Sequence, residues 1–169
     1  MGDIQNLGSE EAVAKLKKLA EDVRICLFCT ELGQQPIAAR PMSVQEVDDS
    51  GNIWFISSAD SNKNFEIKLD NSVQLFFADT SDSHYLSVYG HATIYKDKAT
   101  IEEVWSTVAE AWFEKGKDDP NVSVIKVKPT DAYYWDTKNG KAVQLLKIAA
   151  STITGKGNDD GVEGSLDIT

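Results

Sequence analysis

The chain has 169 residues, 41% of them hydrophobic and 26% charged, which is enough for one sizeable core and short for two. Its formal net charge is -10, with acidic residues along the whole length, so it lacks the basic face that a nucleic-acid backbone or an anionic membrane requires. No run approaches the roughly 20 apolar residues of a membrane span, and no basic segment followed by an apolar run opens the sequence; a soluble, cytoplasmic protein is expected.

In chain order, Ser9 stands as a cap before Glu10 and Glu11, and Val13, Leu16, Leu19, Ala20 and Val23 repeat at helical spacing. The pattern then changes to strands: Ile25 to Thr30, Ile37 to Val47 interrupted at Pro41, a turn at Asp48 to Asn52, and Ile53 to Ser58. A short helix from Ser61 to Leu69 is followed by strands Ser72 to Ala78 and Tyr85 to Tyr95. In the second of these Leu86, Val88, Gly90, Ala92 and Ile94 alternate with polar or aromatic residues, as one buried face requires. Thr100 and Glu103 form a capping box, predicting a helix whose apolar face runs from Ile101 towards Phe113 and which ends near Gly116. Two strands, Val122 to Val127 and Ala132 to Trp135, are predicted on either side of Pro129. After Asn139 and Gly140, a helix over Val143 to Ile153 stops at Gly155. Residues 1–155 read as a single domain and 156–169 as a flexible tail.

Cys26 and Cys29 have Cys-x-x-Cys spacing, but no second ligand pair accompanies them, and His84 and His91 lack ligand spacing; no metal site is expected. On a strand, residues three apart point to opposite faces, so two buried structural thiols are the expectation. Helices inserted singly among six or seven short strands do not alternate as β-α-β units, and no glycine-rich nucleotide loop occurs. The fold class that follows is α+β, mainly β: a six- to seven-stranded antiparallel barrel, closed or partly split.

Four segments carry a resemblance. Ala39-Arg40-Pro41-Met42, then Ile53 to Ser58 with Ser61-Asn62-Lys63, then Tyr85 to Ala92, then Ala111 to Gly116 leading to Asp119-Pro120, occur in an order and spacing similar to the general stress protein 26 group. That group belongs to the split β-barrels that resemble pyridoxamine-phosphate oxidase and bind FMN. With Tyr133-Tyr134-Trp135-Asp136 near the end, the resemblance covers roughly Ser9 to Gly155.

A flavin phosphate needs cations and hydroxyl or amide donors, and its ring needs strand backbone and apolar side chains. Pro41 forces Arg40 into an extended conformation and removes one ladder hydrogen bond; a solvated arginine at an edge bulge is the plainer alternative. The resemblance implies that Arg40 reaches the phosphate and that Pro41, Met42 and Ser43 line the ring. Ser57, Ser58, Ser61, Asn62 and Lys63 bring hydroxyls, a helix N-terminus and an ammonium together, which suits a phosphate; the plainer alternative is a capped helix with a solvated lysine. By resemblance, Lys63 holds the phosphate, and Ser57 and Ser58 the phosphate and ribityl end. Tyr85 is a further candidate near the ring. Trp112 is one that reaches the partner subunit's flavin, although both it and Trp135 also read as core or interface aromatics.

The resemblance implies FMN as cofactor, with FAD as the alternative, and a homodimer with flavin at the subunit boundary. A flavin-binding stress protein follows, with either weak flavin-dependent reductase activity or a flavin-buffering role. A flavin-dependent oxidoreductase acting on a small molecule and a flavin-free interaction module are the competing readings. The chain has only two arginines, Arg24 and Arg40, and no histidine after His91, so it departs from the Arg-x-His pattern near the C-terminus with which pyridoxamine-phosphate oxidases hold the second phosphate, that of the vitamer. The absence of that pattern argues against vitamin B6 oxidation.

Overall fold

The structure is a computed structural model that describes residues 3–137 and 161–168. Its elements are strands β1 (Asp3–Ile4) and β2 (Leu7–Gly8), helix α1 (Ser9–Val23), strands β3 (Ile25–Thr30), β4 (Ala38–Val47) and β5 (Ile53–Ser58), and helix α2 (Asn62–Leu69). Strands β6 (Ser72–Asp79) and β7 (His84–Tyr95), helix α3 (Lys98–Val104), two single 3-10 turns (Ala109–Ala111 and Gly116–Asp118), and strands β8 (Val122–Thr137) and β9 (Gly161–Asp167) complete it.

Six strands close a barrel in the order β5-β4-β3-β6-β7-β8, because β8 pairs antiparallel with β7 along one edge and with β5 along the other. The expected antiparallel barrel is therefore present, with β9 added beside β8 and the short β1 and β2 parallel to β9. Period-two alternation fills it: Phe28, Val44, Phe55, Leu75, Val88, Ile125 and Tyr134 are all buried. Phe28 and Phe55 meet edge to face at 5.3 Å. Helix α1 buries Ala12, Leu16, Leu19 and Ala20 against the barrel, and α2 lies against β3 and β7. Beneath α3 a second cluster of Ile101, Val104, Val122 and Val124 covers part of the outer face with Trp54, Ile56 and Trp105.

Several sequence expectations change in detail. Ser9 does not cap α1; Gly8 occupies that position without a side-chain hydrogen bond. Asp97, not Thr100, caps α3: its carboxylate accepts from the Thr100 backbone N–H at 2.9 Å and from the Thr100 hydroxyl at 2.8 Å. The helix also stops at Val104 rather than near Gly116. Ser106 and Thr107 follow the C-cap Trp105, and hydroxyl residues that compete for backbone hydrogen bonds favour turns over helix interiors. Val122 to Trp135 forms one strand, because the chain passes Pro129 through a bulge instead of a bend. Within the segment read as a tail, Gly161–Asp167 is a strand with Val162 and Leu166 buried, while the helix predicted over 143–153 lies outside the described residues. Cys26 and Cys29 are both buried free thiols, and burial pushes the Cys26 thiol up to about 12.

Gly90 explains the passage past Pro129. Tyr89 pairs with Asp131 and Gly90 with Pro129, so Thr130 is the extra residue, and a Cβ at position 90 would stand 2.3 Å from the Lys128 carbonyl oxygen. Gly90→Ala is expected to lower the unfolding free energy by about 2 kcal/mol or more through overpacking against backbone, read as a lower urea midpoint.

Candidate functional site

Alternation along β4 and β5 divides the side chains between the barrel interior and its outer face. Val44, Phe55 and Val47 point in, while Pro41, Ser43, Ile56 and Ser58 point out. Over that outer face lies a cavity of about 490 Å³. Its floor is Pro41, Met42, Ser43, Gln45, Ile56, Ser57 and Ser58, one end is Ser61 and Lys63, and its far wall is the segment from Val108 to Asn121.

Two side-chain tethers hold the wall over the floor. The Ser106 hydroxyl donates to the Gln45 amide oxygen at 2.5 Å, and Asn121 Nδ2 donates to the Ser58 hydroxyl at 2.7 Å and to Asp60 at 3.0 Å. Between those tethers Trp112 is 80% exposed, which leaves a large aromatic face at the cavity mouth.

The polar end is built by α2. Ser61 caps the helix by accepting from the Asn64 N–H, and Asn64, fully buried, donates to Ser123 at 2.8 Å and accepts from the Ser57 hydroxyl at 3.1 Å. This network fixes Ser57 next to the first helical turn. Lys63 is only 7% exposed and donates to the hydroxyls of Ser57 and Ser61. Burial, reinforced by the Arg40 charge and opposed by Glu66, pushes the Lys63 ammonium down to about 8. A cation held by neutral hydroxyls beside the free N–H groups of a helix start gains from an arriving anion.

Of the residues singled out from the sequence, Pro41, Met42, Ser43, Ser57, Ser58, Ser61, Lys63 and Trp112 line this cavity. Arg40, Asn62 and Tyr85 do not. Arg40 shares the inward phase of Met42 and Val44 and closes the barrel end under α2, where it donates to Glu66 at 2.7 Å and to the Thr30 hydroxyl at 2.6 Å. Asn62 is exposed on the first turn of α2. Tyr85 is the second residue of β7, at the other barrel end, paired with Ala78 and Trp135. The sequence reading missed Gln45, Val108 and Asn121, which carry no local signal and join the site through the Ser106 and Ser58 tethers.

Two outcomes follow. Arg40→Met leaves Glu66, whose side chain is 14% exposed, without its cation; a loss of about 2 kcal/mol in unfolding free energy is expected. For Lys63 the unfolded chain holds its proton up to the ordinary 10.5 and the folded chain only to about 8, so the unfolded state binds more protons between these values. Stability of the ligand-free protein therefore rises with pH across that window, and Lys63→Met abolishes the rise in a series of urea melts.

Comparison with known proteins agrees with this architecture. The family model described as pyridoxamine 5'-phosphate oxidase like matches residues 11–159. Among curated relatives, protein bli-3 of Neurospora crassa is 26% identical over 71% of the chain, and general stress protein 26 of Bacillus subtilis is 29% identical over 49%. The matched regions span 62% and 61% of those relatives' own lengths. A general stress protein 26 structure from Jannaschia sp. CCS1 superposes with a TM-score of 0.77 at 26% identity, covering 93% of this chain and 98% of that one. The general stress FMN/FAD binding protein of Xanthomonas citri superposes with a TM-score of 0.65 at 27% identity, covering 76% and 90%. A six-stranded antiparallel barrel with its cavity on the outer face of β4 and β5, matched by one family model over most of the chain, places this protein in the pyridoxamine 5'-phosphate oxidase-like family.

Proposed function

We propose that the chain is an FMN-binding general stress protein whose flavin occupies the cavity between the β4–β5 outer face and the Val108–Asn121 wall. The observation that carries this reading is the polarity of the cavity. One end gathers a buried lysine, three serine hydroxyls and a helix N-terminus, and the apolar surface of the rest comes from Pro41, Met42, Ile56, Val108 and Phe113, with Gln45, Glu114, Asp119 and Asn121 as its polar lining. That division matches a ligand with one phosphate and one flat apolar ring, and the volume falls in the range of roughly 300–1,000 Å³ usual for small-molecule sites. FMN is preferred to FAD because Lys63 is the one cation among the described lining residues.

In this reading Lys63 with Ser57, Ser58 and Ser61 holds the phosphate, and Pro41 to Ser43, Gln45 and Trp112 hold the ring. Arg40 acts from behind: its charge keeps the Lys63 proton labile until a dianion arrives and restores it. When bound, the flavin supplies electron transfer, and the protein sets its orientation and access. The reading leaves two roles, a weak flavin-dependent reductase or a flavin buffer. Bleaching of bound flavin by NAD(P)H distinguishes them: bleaching selects the reductase, its absence the buffer.

A homodimer belongs to the same proposal. On the outer face of β3 and β6 the cross-strand neighbours Leu27 and Phe76 are 51% and 47% exposed, and the neighbours Tyr85 and Trp135 on β7 and β8 are 38% and 41% exposed. Pro41 pairs with Leu27, so this apolar surface runs into the cavity floor. A second copy seated there would cover both.

Purified protein should be yellow, and added FMN should lose its fluorescence on binding. Lys63→Met should weaken FMN by about 30-fold, the loss of about 2 kcal/mol from a charge-assisted contact, while Leu27→Asp should convert a dimer to monomer in light scattering. Colourless protein that leaves FMN fluorescence unchanged would overturn the cofactor, and a monomer in the parent protein would overturn the dimer.

A further inference from the structure

We propose that Lys63 is also a reactive amine, which condenses with small aldehydes that enter the cavity when no flavin fills it. The inference shares a cavity with the flavin reading but does not need that reading to hold.

Several other lysines among the described residues are placed differently. Lys15, Lys18, Lys98 and Lys117 are each paired with a carboxylate, and for Lys98 the contact with Asp118 holds the ammonium above its ordinary value. Lys63 differs in three ways. Its Nζ contacts are the neutral hydroxyls of Ser57 and Ser61; it is buried, yet its side chain borders the cavity; and the Arg40 guanidinium nearby disfavours its proton. The one carboxylate that opposes this, Glu66, is already bound by Arg40 and Thr30. An ammonium brought down to about 8 supplies a substantial neutral fraction near neutral pH, and the neutral amine is the nucleophile.

The step balances without an oxidant or reductant. The Nζ lone pair forms a bond to the aldehyde carbon while the carbonyl π pair moves to oxygen. A proton passes from nitrogen to that oxygen through the adjacent serine hydroxyls, giving a carbinolamine. Protonation of its hydroxyl expels water as the nitrogen lone pair closes the C=N bond, and the resulting iminium returns its N–H proton to solvent to leave the imine. Ile56, Val108 and Phe113 favour an aldehyde bearing a flat or apolar substituent. Because the adduct on Nζ occupies the space beside Ser57 and Ser61 that an anion would enter, aldehyde and phosphate ligands exclude each other.

The test uses the full chain freed of flavin, salicylaldehyde as probe, cyanoborohydride to trap the imine, and peptide mass mapping at pH about 8. Lys63 should be labelled at least about tenfold faster than Lys18 and Lys98, which are solvent-exposed, as a lowered ammonium pKa predicts. Lys63→Arg, which keeps the charge, should remove that fast phase, and Ser57→Ala with Ser61→Ala should slow it. Labelling at Lys63 no faster than at the exposed lysines overturns the proposal whether or not the variants fold. Saturating FMN provides a separate arm. Protection of Lys63 supports both readings, whereas fast labelling undiminished by bound FMN upholds the amine and overturns the position given to the flavin.

Discussion

Barrel closure through β8 is the constraint on which the other features rest. Its first half pairs with β5, its length from Val124 to Trp135 pairs with β7, and its last residues pair with β9, so one strand joins the two edges of the sheet. Those partners cannot all be served by a regular ladder. The bulge at Thr130 opposite Gly90 supplies the extra twist, and it succeeds because a glycine lets the Lys128 carbonyl approach and because Pro129 has no N–H to leave unsatisfied. Once closed, the barrel has an interior that is filled and an exterior on β4 and β5 whose alternating residues are free to form a floor.

The two barrel ends are treated differently. At the α1 end His84, Asp136 and Lys15 form a chain of contacts, with Lys15 also 4.9 Å from the Tyr134 ring centre, so charge is neutralised internally. At the α2 end Arg40 and Glu66 neutralise one another, but Lys63 is left with hydroxyls alone. Among the described residues, a protein with a formal charge of -10 thus keeps one buried cation without a direct carboxylate partner, beside the cavity on β4 and β5. Keeping it there costs stability, because burial and the Arg40 charge both disfavour the ammonium.

The cavity is also a compromise between order and access. Its floor is sheet and its polar end is a capped helix, both held by buried hydrogen bonds, whereas its wall consists of two short 3-10 turns attached through Ser106 and Asn121. Rigid elements fix the charged contact, and the less regular wall carries Trp112 and Phe113 over the apolar part.

Period-two alternation and turn residues were enough to locate β3, β5, α2, β6 and β7 within a residue of their ends, and the cluster Ser57, Ser58, Ser61, Lys63 was legible because a serine cap and a lysine adjoin in sequence. The shortening of α3 and the strand at Gly161–Asp167 were not, since cap competition and pairing with β8 involve partners distant along the chain. Arg40 illustrates the division best. Its neighbour Pro41 marked the strand, but only closure of the barrel decided that residue 40 faces inward to Glu66, 26 positions away, while residue 41 faces the cavity. Local propensity and spacing determined which residues are strand, cap or cation; the register of the closed sheet determined which of them meet.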